Sequence, residues 1–208
     1  MLAGIGIGGT ELAGLIVAAS FAAGLNVYAT VVTLGILTHL KVLTLPPGLH
    51  LLSSWWVIGA SAVLFGIEFF ADKIPAFDLI WNALHTFVRV PIAALIAYGA
   101  TTQLSPQKQL IATLAGGVIA LAAHGGKTAL RAAVTPSPEP VSNIALSTGE
   151  DVLAIFLVWF ATQHPVLATI IVLVLLLVIV VVIRWIVRGL RALFRDSERE
   201  AAVVQPHP

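Results

Sequence analysis

Four short stretches hold most of the interior titratable groups of this chain, and each is spaced for one face of an α-helix. Asp78, Asn82, His85 and Arg89 recur at i, i+4, i+7 and i+11, and His124, Lys127, Thr128 and Arg131 at i, i+3, i+4 and i+7. Glu68 and Asp72 make an i, i+4 pair, and Asn143, Ser147, Glu150 and Asp151 share a face if a helix has begun by 143. The carboxylates Glu68, Asp72, Asp78, Glu150 and Asp151 can meet the permanent cations Lys73, Arg89, Lys127 and Arg131 and the imidazoles of His85 and His124. Three chemistries are open to such a set. It can bind a cation or carry protons, grip the phosphate of a lipid headgroup, or close on itself as a salt-bridge lattice that holds helices in register.

The elements that must position these residues follow from composition. Of the 208 residues 59% are hydrophobic and only 10% charged, with a mean hydropathy of +1.01, far from the ~25% charged usage of soluble domains. Apolar runs of this density suit a bilayer, where a spanning helix satisfies every backbone N–H and C=O within itself. The predicted fold is all-α, an integral membrane helical bundle of about six transmembrane helices. Candidate spans are Leu12–Leu37, Ser54–Phe70, Asp78–Gly99, Gln109–Val134, Ser147–Thr162 and Val166–Val187, separated by Pro46-Pro47-Gly48, Ser105-Pro106, the Pro-rich stretch 135–140 and His164-Pro165. A single transmembrane domain is expected over 1–194, followed by a disordered cytoplasmic tail over 195–208.

Charge orients the bundle. With six spans, one side holds Lys73, Arg89, Lys127, Arg131, Arg184, Arg188, Arg191, Arg195 and Arg199, and the other only Lys41 and Lys108. The positive-inside rule then places both termini in the cytoplasm, in a bacterial inner membrane. The last span carries no polar side chain between Ile170 and Ile183 and should face lipid; the basic stretch after it, with Trp185 and Phe194, suits anionic headgroups. The N-terminus has no Lys or Arg ahead of its first apolar run, so it does not read as a cleavable signal.

Burying ionised groups against lipid costs roughly 2.5–3.5 kcal/mol each even on the lenient insertion scale. The polar stripes should therefore face one another or water. The first span adds Gly24, Asn26 and Tyr28 at its middle, a pattern for a broken or closely packed helix whose freed backbone can line a site. A short similarity between Ala23-Gly24-Leu25-Asn26 and His124-Gly125-Gly126-Lys127 suggests two related three-helix halves.

Several classes fall away. The formal charge of +1 argues against nucleic acid, and the glycines at 4, 6, 8 and 9 lack the preceding strand of a phosphate loop. The absence of cysteine removes disulfide and thiolate chemistry. No catalytic triad or cofactor motif is present, so no cofactor is expected. His85 and His124 with Glu68, Asp72 or Glu150 leave a divalent metal open, without a local His pair to support it. The leading reading is a small-ion or small-solute transporter or channel-like protein with a polar cavity open to the cytoplasm. Its site residues are Asn26, Tyr28, Glu68, Asp72, Lys73, Asp78, His85, Arg89, His124, Lys127, Arg131, Glu150 and Asp151. The alternatives are a membrane scaffold with a structural charge lattice and, behind it, a lipid-headgroup enzyme. Its partners are the lipid bilayer and a cation or proton, and a homo-oligomer is compatible with everything above.

The stretches Gly24 to Tyr28, Glu68 to Asp78, Trp81 to Arg89, Ala123 to Arg131 and Ser147 to Asp151 together resemble an uncharacterised family of bacterial multi-pass proteins, a domain of unknown function (DUF 4126). The family pattern has an acid where Asn82 stands and a proline directly after the arginine, whereas Val90 intervenes before Pro91 here. The resemblance implies a multi-pass membrane fold and strengthens the list of site residues, but carries no activity with it.

Overall fold

A computed structural model describes the backbone of residues 8–134 and 140–204; the side chains of 75–79, 132–143, 190 and 192–208 fall outside the described residues. The described chain is helical throughout: α1 Gly9–Leu25, α2 Val27–His39, a 3-10 helix Pro47–Ser53, α3 Trp55–Ala71, α4 Pro75–Ala100, α5 Pro106–Val134, α6 Pro140–Gln163 and α7 Pro165–Val204. Proline opens each of the last four α-helices. The sequence suggests breaks at Pro106, Pro140 and Pro165, though not at Pro75, and the physical reason is the same for all four: the first turn has no partner for an N–H, and the ring presets the helical φ. Pro91 lies inside α4, where it removes one N–H from the ladder. After α2 the chain turns through Lys41 at φ 58°, the left-handed conformation that commonly ends helices.

α1 is the hub. It packs against α4, α5, α6 and α7, and from Gly14 onward nearly all of it is buried, including Ala18, Ala19, Ser20, Ala22, Ala23 and Gly24. A helix apolar all round belongs at the centre of a bundle, and its small residues let neighbours approach closely. A Cβ on Gly24 would stand 2.5 Å from the Ala120 carbonyl oxygen and 2.8 Å from the Ala123 Cβ. The outer surface is apolar: α7 exposes Val166, Leu173 and Leu177, and α3 exposes Trp56, Val63 and Phe70. Exposed apolar surface of this kind suits a lipid environment, and the last span is largely exposed in the bundle.

The expected span count is only partly met. Four segments are each long and apolar enough to cross a bilayer: Ile80–Ala100, Pro106–Arg131, Ile144–Gln163 and Pro165–Gly189. A fifth forms if the 3-10 helix and α3, bent by 62° to each other, count as one. The first predicted span, Leu12–Leu37, is two shorter apolar helices interrupted at Asn26, so the mid-span glycine and asparagine mark both a break and a close packing. The segment expected as a disordered tail is helical in its backbone as far as Val204, and 205–208 lie outside the described residues.

Gly24→Ala should lower stability by about 1–3 kcal/mol, the usual cost of overpacking a tight interior. Gly59→Ala, whose added methyl meets nothing within 4 Å, should not destabilise. Thermal unfolding of the detergent-solubilised protein compares the two; equal melting temperatures would contradict the packing of α1 on α5.

Candidate functional site

The break between α1 and α2 organises the polar interior. Asn26 has extended backbone, φ −149° and ψ 105°, and its side chain works in two directions. Its Oδ1 accepts from the Ala29 N–H at 2.9 Å and caps α2, while its Nδ2 donates to Asp151 Oδ1 at 2.9 Å. The carbonyl of Leu25, freed at the end of α1, accepts from Lys127 Nζ at 3.1 Å. An interrupted helix in an apolar interior must satisfy its exposed backbone groups from side chains, and here α5 and the Asn26 side chain itself supply them.

Lys127 and Arg131, one turn apart on α5, share two carboxylates. Asp72 Oδ2 lies 2.9 Å from Lys127 Nζ and 3.0 Å from Arg131 Nη2; Glu150 Oε2 lies 3.3 Å and 2.6 Å from the same atoms. The four groups close a ring of alternating charge joining the end of α3, α5 and α6. Arg131 Nη1 also donates to the Asp72 backbone carbonyl at 3.2 Å, capping α3. Burial alone would push the Asp72 carboxyl up, but Lys127 and Arg131 outweigh it and hold it below the ordinary carboxylate range. Glu150 keeps 11% of its side chain exposed, the most accessible member of the ring.

A second cluster lies between α3, α4 and α5. Arg89 is fully buried and pairs with Glu68 through Nη2, while its Nη1 donates to Asn82 Oδ1 at 3.1 Å and to His124 Nδ1 at 2.8 Å. Because guanidinium only donates, His124 accepts at Nδ1 and carries its proton at Nε2, 2.7 Å from Thr86 Oγ1. His85 is fixed in the opposite tautomer: Nδ1–H donates to the Trp81 carbonyl at 2.8 Å, and Tyr28 OH donates to Nε2 at 3.2 Å. Both imidazoles thus have both nitrogens engaged, and neither presents a free base. Among the described residues no three His, Cys, Asp or Glu side chains come together as a metal-ligand set.

Of the residues singled out in the sequence, Asn26, Tyr28, Glu68, Asp72, His85, Arg89, His124, Lys127, Arg131, Glu150 and Asp151 all join these two clusters. Lys73 does not: its ammonium lies 3.1 Å over the Phe69 ring and donates to the Phe69 carbonyl. The side chains of Asp78 and Asn143 lie outside the described residues. Sequence reasoning missed Thr86, which bridges Asn82 and His124; its place one turn after Asn82 on the same stripe was the available signal. It also missed Trp81, whose ring lies against His85 at a 4.3 Å centroid distance.

A family model described as a domain of unknown function matches residues 13–185, which includes every residue of both clusters. The chain belongs to the DUF4126 family. No curated protein and no solved structure matches it. The DUF4126 region ends close to the point where α7 leaves its apolar stretch, so the family pattern coincides with the helical bundle that encloses the charges.

Removing one member of a buried ion pair leaves the other charge uncompensated, at a cost of about 3–5 kcal/mol. Glu68→Gln and Arg89→Gln should each destabilise strongly, and the double variant should recover part of the loss. A double-mutant cycle measured by unfolding in mixed micelles checks this; additive losses would show that the pair does not act as a unit.

Proposed function

We propose that this DUF4126 protein is a small-ion or small-solute transporter or channel-like protein of the bacterial cytoplasmic membrane, handling a cation or proton in its polar core. The observation that carries the reading is the ring of Lys127, Arg131, Asp72 and Glu150 set directly against a helix break. Each of the two accepting carboxylate oxygens is shared by two bases, so one contact can be given up while another is kept. Lys127 and Arg131 are then the exchangeable partners of an incoming cation, and the Leu25 carbonyl is the backbone ligand that Lys127 releases. Broken helices flanked by ionisable groups are a recurring construction for ion sites at membrane depth.

The reading includes six spans with both termini in the cytoplasm. α1 and α2 together cross once, and the 3-10 helix with α3 crosses next. The close approach of Gly48 to Gly99 brings the start of the 3-10 helix to the end of α4, the end that carries Lys41 and Lys108. Arg89, Lys127 and Arg131 are spent on internal ion pairs, so the outward-facing bases that orient the bundle are chiefly those of α7. The segment around Gly24 packs on α5 just ahead of His124 to Lys127, which supports two related halves meeting at the site.

A second reading, a scaffold with a structural lattice, is favoured by the closure of the ring on itself. The two separate in proteoliposomes. With the full chain reconstituted and a pH-sensitive dye enclosed, the wild type should dissipate an imposed cation or proton gradient, and Asp72→Asn or Glu150→Gln should slow it more than about tenfold. Equal rates for wild type, variants and empty vesicles would leave the scaffold as the better account.

A further inference from the structure

The buried charges of the two clusters do not balance among the described residues, and the imbalance falls on one residue. Among the described residues of the two clusters the acids are Glu68, Asp72, Glu150 and Asp151, and the bases are Arg89, Lys127 and Arg131. Glu68 is paired with Arg89, and Asp72 and Glu150 share Lys127 and Arg131. Asp151 is 3% exposed and has no cation within ion-pair distance among the described residues; its Oδ1 accepts from Asn26 and its Oδ2 has no partner. One turn earlier on the same face of α6, the fully buried Ser147 hydroxyl is likewise without a partner among the described residues.

We propose that Asp151 is the proton-binding group of this site, and that Asn26 couples its protonation to the break between α1 and α2. The inference rests on the transport reading and names the ion as a proton. The charged groups whose fields reach Asp151 are Lys127 from α5, Asp72 and Glu68 from α3 and its end, and Lys73 beyond α3. The one buried ammonium among them, Lys127, is already given to Leu25, Asp72 and Glu150. An ionised carboxylate buried among protein groups needs a counter-charge, and where no base supplies one a proton does. A bound metal ion would need more hard ligands than a single carboxylate, and no third acid or imidazole joins Asp151 among the described residues.

The step is a simple transfer. Asp151 Oδ2 takes one proton from hydronium, giving the neutral acid and a water molecule; release hands that proton back to water as hydronium and restores one negative charge on the carboxylate. In the ionised state the Asn26 Nδ2–H bond to Oδ1 is charge-assisted, and in the neutral state it weakens. The other end of the same amide caps α2, so the proton alters how firmly the break is held.

The test is infrared difference spectroscopy of the full chain in zwitterionic bilayers as pH is stepped. Wild type should show a protonated-carboxyl stretch that comes and goes with pH, lost in Asp151→Asn and retained in Glu150→Gln. Asn26→Ser should shift the position of that band without removing it, which keeps the test decisive if Asp151→Asn does not fold. A band that survives Asp151→Asn unchanged overturns the proposal, as does a carboxylate change driven by sodium at constant pH. A titrating Asp151 band without proton flux in vesicles would uphold the proton site and sink the transport reading; flux without the band would do the reverse.

Discussion

An interrupted helix in an apolar interior has to find partners for the backbone groups it exposes, and the arrangement of this molecule follows from that requirement. At Asn26 the chain leaves α1 and starts α2 with a single extended residue between them. The Leu25 carbonyl turns to Lys127, and the first turn of α2 is capped by the Asn26 side chain. Bringing an ammonium to that depth then demands carboxylates, and Asp72 and Glu150 supply them from two further helices.

Packing makes this geometry possible. Lys127 reaches the α1 carbonyl because α1 and α5 lie unusually close, and they do so because Gly24, Ala120 and Ala123 place little between the backbones. Membrane interiors offer no hydrophobic drive for helices to associate, so close small-residue contacts and interhelical polar bonds hold the bundle. Both are concentrated at one level of α1. The apolar exteriors of α3 and α7 take little part in this and face outward.

Much of this was legible in the residues themselves. The helical spacing of His124, Lys127 and Arg131, and of Asn82, His85 and Arg89, places each set on one face, and the cost of exposing them to lipid turns those faces inward. What spacing cannot give is which groups meet across helices. Nothing in the sequence says that Arg89 takes Glu68 while Arg131 takes Asp72, or that Lys73, one residue past Asp72, turns away to Phe69. Gly24 and Asn26 mark the first span as broken or closely packed, but its apolar run continues past Asn26 and leaves that choice open; the interruption comes from a side chain that caps a new helix rather than from any loss of hydrophobicity. Thr86 was overlooked for a similar reason, since a threonine in a helix usually bonds back to its own backbone, and here it also closes a bridge to His124.

Transport requires water to reach the charged core around the break, whereas a sealed lattice would exclude it. Because the chain contains no cysteine, a single Ser147→Cys substitution reports on it directly. The expected result is modification by a membrane-impermeant thiol reagent from the cytoplasmic side, much faster than at Leu173→Cys on the apolar outer face of α7. A folded Ser147→Cys protein that stays unreactive from both sides would contradict the account and show the charges to be locked together.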